Sequence, residues 1–278
     1  MCSSDLVIRV VHPGPTLLNA VAAFTLAQIA GAPTHRALLA AVTMMGAHGF
    51  IGTLNDLLDR HLDSDRKEKP IATGSISVRV GVTIAALSVL TGLIAATALG
   101  PQPLLIASLG ISLGVLYDFG VKRSVLSWLP FALGVALIPP FAWAVAEVPL
   151  PTAIRALSLA AITGGAALAL QNGLADRAID TAAGMRSAVV RLGDRPAWIA
   201  AALMHLCTFS VVASTLVGPA ASSSARGALP LLAGAAAQLA GLGLSATQRP
   251  VLRRRGWELG GVGLLLLAIA AALVSSTA

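Results

Sequence analysis

Two ten-residue stretches are near copies of one another: NDLLDRHLDS at 55–64 and NGLADRAIDT at 172–181. Aligned, they share Asn55/Asn172, Leu57/Leu174, Asp59/Asp176, Arg60/Arg177 and Asp63/Asp180. The Asn, Asp and Asp of each copy fall at i, i+4 and i+8, so a helix gathers each trio onto one stripe roughly 80° wide. Two such stripes facing one another concentrate at least four carboxylates, which only bound cations or basic partners can hold together away from bulk water. A carboxylate pair one turn apart, supported by an Asn carbonyl, is an all-oxygen donor set. That set suits Mg²⁺, a hard ion that keeps several waters and is usually completed by substrate phosphates. The candidate metal ligands are therefore Asn55, Asp59, Asp63, Asp176 and Asp180, with Asn172 beside them, and the implied substrate carries a phosphate or diphosphate.

Cations follow the acids. After Asp63 come Asp65, Arg66, Lys67, Lys69 and Pro70, then IATG at 71–74; YDFGVKR occupies 117–123; Gly184 and Arg186 follow Asp180. Arg and Lys can bind the outer oxygens of a diphosphate and offset the charge that develops as it leaves. Taken singly, each of these cations is also accounted for by membrane topology; next to a duplicated acidic motif, Arg66, Lys122, Arg123 and Arg186 become candidate substrate contacts. His48 lies seven positions before Asn55 on about the same helix face, where it either lines a cavity or serves as a hydrogen-bonded structural histidine. Gln171 and His205 read as structural polar residues. Among the few aromatics, Trp128 reads as an interfacial anchor and Phe141 and Trp143 as cavity lining.

The elements that must position these residues are membrane helices. The chain of 278 residues is 56% hydrophobic and 11% charged, with a mean hydropathy of +0.83, outside the range of water-soluble globular domains. Apolar runs predict nine spans, near 15–31, 37–58, 80–99, 102–118, 125–146, 153–175, 197–218, 228–246 and 257–276. The net charge of +7 is topological and does not point to nucleic acid: Lys and Arg divide 16 to 3 between alternate sides. The positive-inside rule then puts the amino terminus and both acidic motifs in the cytoplasm and the carboxyl terminus outside, as expected of a bacterial plasma-membrane protein. The first fourteen residues lack the pattern of a cleavable signal, and Pro13 and Pro15 break the stretch that leads into the first apolar run. Cys2 and Cys207 match no metal or redox spacing. No linker divides the chain, so one all-α bundle over residues 1–278, with pseudo-repeated halves around a central cavity, is expected. Its 27 Gly and its Ala-rich runs let helices approach closely.

At these two motifs the chain resembles the UbiA superfamily of intramembrane prenyltransferases. The first is similar to that superfamily's NDxxDxxxD signature (Asn55, Asp56, Asp59, Asp63) with its trailing basic run, and the second to its DxxxDxxxG signature (Asp176, Asp180, Gly184). Tyr117 and Lys122 resemble its Tyr and Lys after the fourth span, although four residues separate them where several members have three, so Arg123 could take the place of Lys122. The resemblance implies Mg²⁺ as cofactor and an isoprenoid diphosphate donor (geranyl, farnesyl, geranylgeranyl or longer) that ionises to a carbocation in an apolar cavity. It implies an aromatic or lipid acceptor among the membrane lipids. It implies catalytic roles for Asp56, Lys122 and Arg66, and substrate contacts from Arg66, Lys122, Arg123, Arg186, Tyr117, His48 and Asn172. A terpene cyclase, with no acceptor, needs the same metal site and stays open. A transporter of phosphorylated lipids is disfavoured because the charges sit at one membrane face and not at mid-depth.

Overall fold

The computed structural model describes residues 3–63, 66, 69–216 and 224–275. The described residues form twelve α-helices: α1 (Ser3–Val10), α2 (Pro13–Ile29), α3 (Thr34–Asp59), α4 (Val78–Leu99), α5 (Pro101–Asp118), α6 (Leu129–Ala136), α7 (Ile138–Ala146), α8 (Thr152–Ala182), α9 (Ala188–Leu192), α10 (Asp194–Leu216), α11 (Ser224–Ser245) and α12 (Pro250–Ser275). A 3₁₀ turn, Val121–Arg123, follows α5. Among the described residues there is no strand.

Helix ends follow local chemistry. Proline opens both α2 and α5, where its missing N–H costs nothing. The interruption expected at Pro13 and Pro15 is therefore a helix start, two residues before the span that was read there. Ser77 caps α4 by accepting from the Val80 N–H at 3.3 Å. The span expected at 125–146 divides into α6 and α7 around Leu137, since Pro139 and Pro140 remove two donors from the helical ladder.

Seven helical segments among the described residues are long and apolar enough to cross a membrane: Thr34–Asp59, Val78–Leu99, Leu129–Ala146 (α6 and α7 together), Thr152–Ala182, Asp194–Thr215, Ala225–Ser245 and Pro250–Ser275. The expected count of nine is not reached on that measure. Helices do lie at the first and fourth expected spans, but α2 has only 17 residues, and α5 carries Gln102 near one end and Tyr117 and Asp118 at the other. Leu87, Ile94, Leu105, Leu159, Leu203, Leu229 and Leu239 are all at least 60% exposed on long helices, a surface suited to lipid tails and unsuited to water.

Small residues set the spacing inside. A Cβ added to Gly46 would stand 2.5 Å from backbone atoms of Ser88 and Gly92, and one added to Gly256 would stand 2.5 Å from the Gly241 carbonyl. The α3–α4 and α11–α12 crossings thus bring backbones into contact. A core of Leu26, Leu99, Phe141, Ile154, Leu157 and Leu267 fills the end of the bundle where α4 stops. At that end Arg36 donates to the Leu99 and Val145 carbonyls, each at 2.8 Å, and pairs with Glu147 at 2.9 Å. The opposite end, where α3, α5 and α8 terminate and α2 and α12 begin, holds the acids. The short α1 docks there through Val10, which is buried with Leu57, Ile71, Ile76 and Ala85.

Candidate functional site

At the end of α3, Asn55 and Asp59 face α5. Asn55 donates to Asp118 Oδ1 at 2.8 Å, and Lys122 Nζ donates to Asp59 Oδ2 at 2.6 Å while lying 3.5 Å from Asp118 Oδ1. Lys122 reaches inward because Gly120, at φ +147°, turns the chain into the 3₁₀ turn that carries it. Lys122, at 6% exposure, holds the inner place, while Arg123 stays 54% exposed with Nη2 at 3.7 Å from Asp59 Oδ1. Asp118 was not among the expected site residues, yet it is buried at the carboxyl end of a helix, where the dipole disfavours an anion, and it depends on Asn55 and Lys122. Its sequence signal was its place between Tyr117 and Lys122.

Asp56 points the other way around α3. Its Oδ1 accepts from Lys69 and lies 3.0 Å from His12 Nε2. Asp56 thus holds a basic residue, Lys69, at the edge of the site. His12 gave no sequence signal, being 44 positions away. It adopts a left-handed backbone, φ 51° and ψ 68°, and its ring lies so close to α3 that a Cβ at Gly52 would come within 2.8 Å of it. Lys69 Nζ also stands 3.4 Å from Asp63 Oδ2. Arg66 Nη1 then lies 3.5 Å from Asp63 Oδ1 and 3.5 Å from Asp176 Oδ1, joining the first motif to the second.

On α8, Asp176 Oδ1 takes a further guanidinium, Arg254 Nη2 at 3.4 Å, from the start of α12. Arg254 was read from sequence only as a topological charge. Asp180 makes no salt bridge among the described residues; it lies in the field of Asp176 and Asp59, with Arg66 and Lys122 as its positive neighbours. Tyr117 stands within the influence of Asp118, Asp180, Asp176 and Asp59. Asn172 is half-buried one turn before Asp176. Arg186 is exposed, and its backbone N–H donates to the Arg123 carbonyl at 3.1 Å, bringing the two basic loops together. The arginines shared by the motifs bind protein instead: Arg60 donates to the Leu57 carbonyl, and Arg177 to Asp194, which also pairs with buried Arg253. Asp65, Lys67 and Cys2 lie outside the described residues.

Other expectations resolve differently. His48 Nδ1 lies 3.1 Å from the Met44 carbonyl of its own helix. Gln171 bridges His205 at 2.9 Å and Ser245 at 3.0 Å, a buried knot that ties α8 to α10 and α11, in line with the structural reading of both. Phe141 and Trp143 belong to the core beside Leu99, at the end of the bundle away from the acids, because α7 leads from the kink at Leu137 toward that end. They do not lie beside the acidic motifs. Trp128 is half-buried against the cluster around Leu170 and Ala188, and Cys207 is exposed on α10.

Six carboxylates (Asp56, Asp59, Asp63, Asp118, Asp176 and Asp180) therefore meet at one end of the bundle, interleaved with Lys69, Arg66, Lys122, Arg123 and Arg254. Among the described residues no three acidic or histidine groups stand close enough to hold one ion together. Cationic nitrogens lie between them, the expected arrangement for like charges in a partly buried place. The donor chemistry still fits a hard divalent ion: Asp59 Oδ1 and Asp118 Oδ2 are buried without a hydrogen bond, and every acidic donor is oxygen.

A sequence model described as the UbiA prenyltransferase family matches residues 16–256. The chain belongs to that family. An integral membrane protein is the consequence for this UbiA family member, as its apolar helices already required. Its fold is shared by a UbiA homolog from Archaeoglobus fulgidus solved with GPP and Mg²⁺, at 19% identity, TM-score 0.73, covering 97% of this chain and 99% of that one. A structure titled for digeranylgeranylglyceryl phosphate synthase matches at 12% identity and TM-score 0.67, covering 98% of each chain. An apo UbiA homolog from Aeropyrum pernix K1 matches at 19% identity and TM-score 0.65, covering 87% of this chain and 96% of that one. Comparison with curated proteins finds no match.

Proposed function

We propose that this UbiA family member transfers a prenyl group from an isoprenoid diphosphate to a hydrophobic acceptor within the membrane, with Mg²⁺ as cofactor. The observation that carries the reading is the meeting of both acidic motifs through Arg66, which touches Asp63 and Asp176 at once. The A. fulgidus homologs solved with GPP or DMAPP and Mg²⁺ support the donor class and the ion. Asp59, Asp63, Asp176 and Asp180, helped by the Asn55 and Asn172 carbonyls, would hold the metal, which when bound neutralises diphosphate charge and weakens the allylic C–O bond.

The chain's own residues do the rest. Lys122 and Arg66 donate to diphosphate oxygens, with Arg123, Arg186 and Tyr117 at the margin, and offset the charge that grows as the C–O electron pair leaves with the diphosphate. Asp56 holds Lys69 in place beside Asp63. Apolar helices exclude water, so the allylic cation is captured by an electron pair of the acceptor, which then releases a proton. On the positive-inside argument the acidic end and the amino terminus face the cytoplasm of a bacterial plasma membrane, and the carboxyl terminus lies outside.

Purified protein incubated with Mg²⁺ and geranyl, farnesyl or geranylgeranyl diphosphate, with and without aromatic or lipid acceptors, tests this. Acceptor-dependent prenylated product is expected. A cyclic hydrocarbon formed without acceptor would assign the chain to terpene cyclisation, and no metal-dependent diphosphate release in detergent would overturn the enzymatic reading.

A further inference from the structure

Three consecutive arginines occupy the start of α12, Arg253, Arg254 and Arg255, and that helix has no acidic residue in its first turn. The positive end of a helix dipole does not favour cations, so helix stability does not place them there. Membrane topology accounts for the presence of charge at this end, but not for where each side chain goes. Arg253 turns into the protein, 7% exposed, and donates to the Leu174 carbonyl at 2.9 Å and the Thr247 carbonyl at 2.6 Å. Arg255 pairs with Glu258 one turn along its own helix at 2.7 Å. Arg254 alone of the three crosses to the acidic centre and meets Asp176 Oδ1, the oxygen that Arg66 approaches from the first motif.

From this we infer that Arg254 is a diphosphate-binding residue, an anchor for the outer phosphate oxygens supplied from the far end of the chain. The inference rests on the prenyl diphosphate reading and deepens it. Asp176 has a second oxygen to offer a metal, so Oδ1 can keep Arg254 at 3.4 Å, which holds that guanidinium at the rim of the space the acids surround, where its remaining N–H groups can donate to a diphosphate. Arg254 is 44% exposed on its side chain, which leaves its planar fork free to follow a ligand. The second motif would thus be flanked by one arginine on each side, one contributed by the loop after α3 and one by α12.

The test uses the full chain in detergent, with Mg²⁺ and inorganic pyrophosphate or unreactive geranyl thiolodiphosphate as probe, read by equilibrium binding as well as by turnover. Arg254→Ala is expected to weaken probe binding and raise KM about tenfold or more, with kcat changed far less. Arg254→Lys should recover part of the affinity, and Arg255→Ala, one residue away, should bind like the parent. Parent-like binding by Arg254→Ala would overturn the inference, as would equal losses in Arg254→Ala and Arg255→Ala, which would reveal a diffuse field with no specific contact. Failure of the parent protein itself to bind either probe would sink the functional reading along with it.

Discussion

The two acidic motifs are alike in sequence and unlike in setting. Around α3, the side chains of Asp56, Asp59 and Asp63 are 2%, 12% and 10% exposed and are held by Lys69 and Lys122, with Lys122 at 2.6 Å from Asp59. Around α8, Asp176 is 28% exposed on its side chain and is approached by two arginines at 3.4 and 3.5 Å, while Asp180 has no ion-pair partner among the described residues. The difference arises from the neighbours: α3 is enclosed by α1, α4, α5 and the loop that returns through Lys69, whereas the end of α8 runs past its packed part into an exposed turn at Ala182–Gly184. One arm of the site is thus set by folding, and the other is free to adjust when a ligand arrives.

The sharpest break of that contrast comes from Asp59→Asn. Turnover should fall on the order of 10²- to 10³-fold, and stability by ~1.5–3 kcal/mol, because buried Lys122 loses its closer counter-charge and keeps only Asp118 at 3.5 Å. Asp176→Asn comes next: a similar loss of turnover is expected, with stability changed by about 1 kcal/mol or less, since its partners are partly solvated. Equal destabilisation by both asparagine variants in a thermal melt would erase the distinction drawn between the arms.

A smaller effect tests the link between the first arm and the amino-terminal segment. Asp56→Asn and His12→Ala should each cost about 1–3 kcal/mol, and in a double-mutant cycle their sum should exceed the effect of the pair, as for residues in contact. Additive losses would show that His12 and Asp56 do not communicate. Smallest of all, Arg123→Ala should alter stability by less than about 1 kcal/mol, given its exposure and its 3.7 Å separation from Asp59. A large stability loss there would mean that Arg123, and not Lys122, is the inner cation.

Much of this was legible from residue order because it is local or repetitive. Spacing of i and i+4 places Asn55 and Asp59 on one stripe of α3, with Asp63 in the turn just past its end and bonded through its N–H to the Asp59 carbonyl, and apolar runs announce membrane helices by length. What local order could not reveal was pairing across distance. His12 meets Asp56 because α1 and α2 fold back against α3, and Arg254 meets Asp176 because α12 begins beside the end of α8. Neither pair has a spacing signature. The spans at α2, α5 and α6–α7 were blurred for another reason: hydropathy averages over prolines and polar helix ends, which decide where a helix starts or bends.

By itself, the order of amino acids determined that this chain enters a membrane, that it carries the same acid pattern twice, and that oxygen donors and cations stand close together along it. These follow from side-chain chemistry and helical period, which need no partner segment. Tertiary structure alone decided which cation holds which carboxylate, that Lys122 and not Arg123 is buried against Asp59, and that one motif is enclosed while its copy is open. Burial and charge pairing depend on what the rest of the chain brings to each helix end, and two identical patterns acquire different strengths when their neighbours differ.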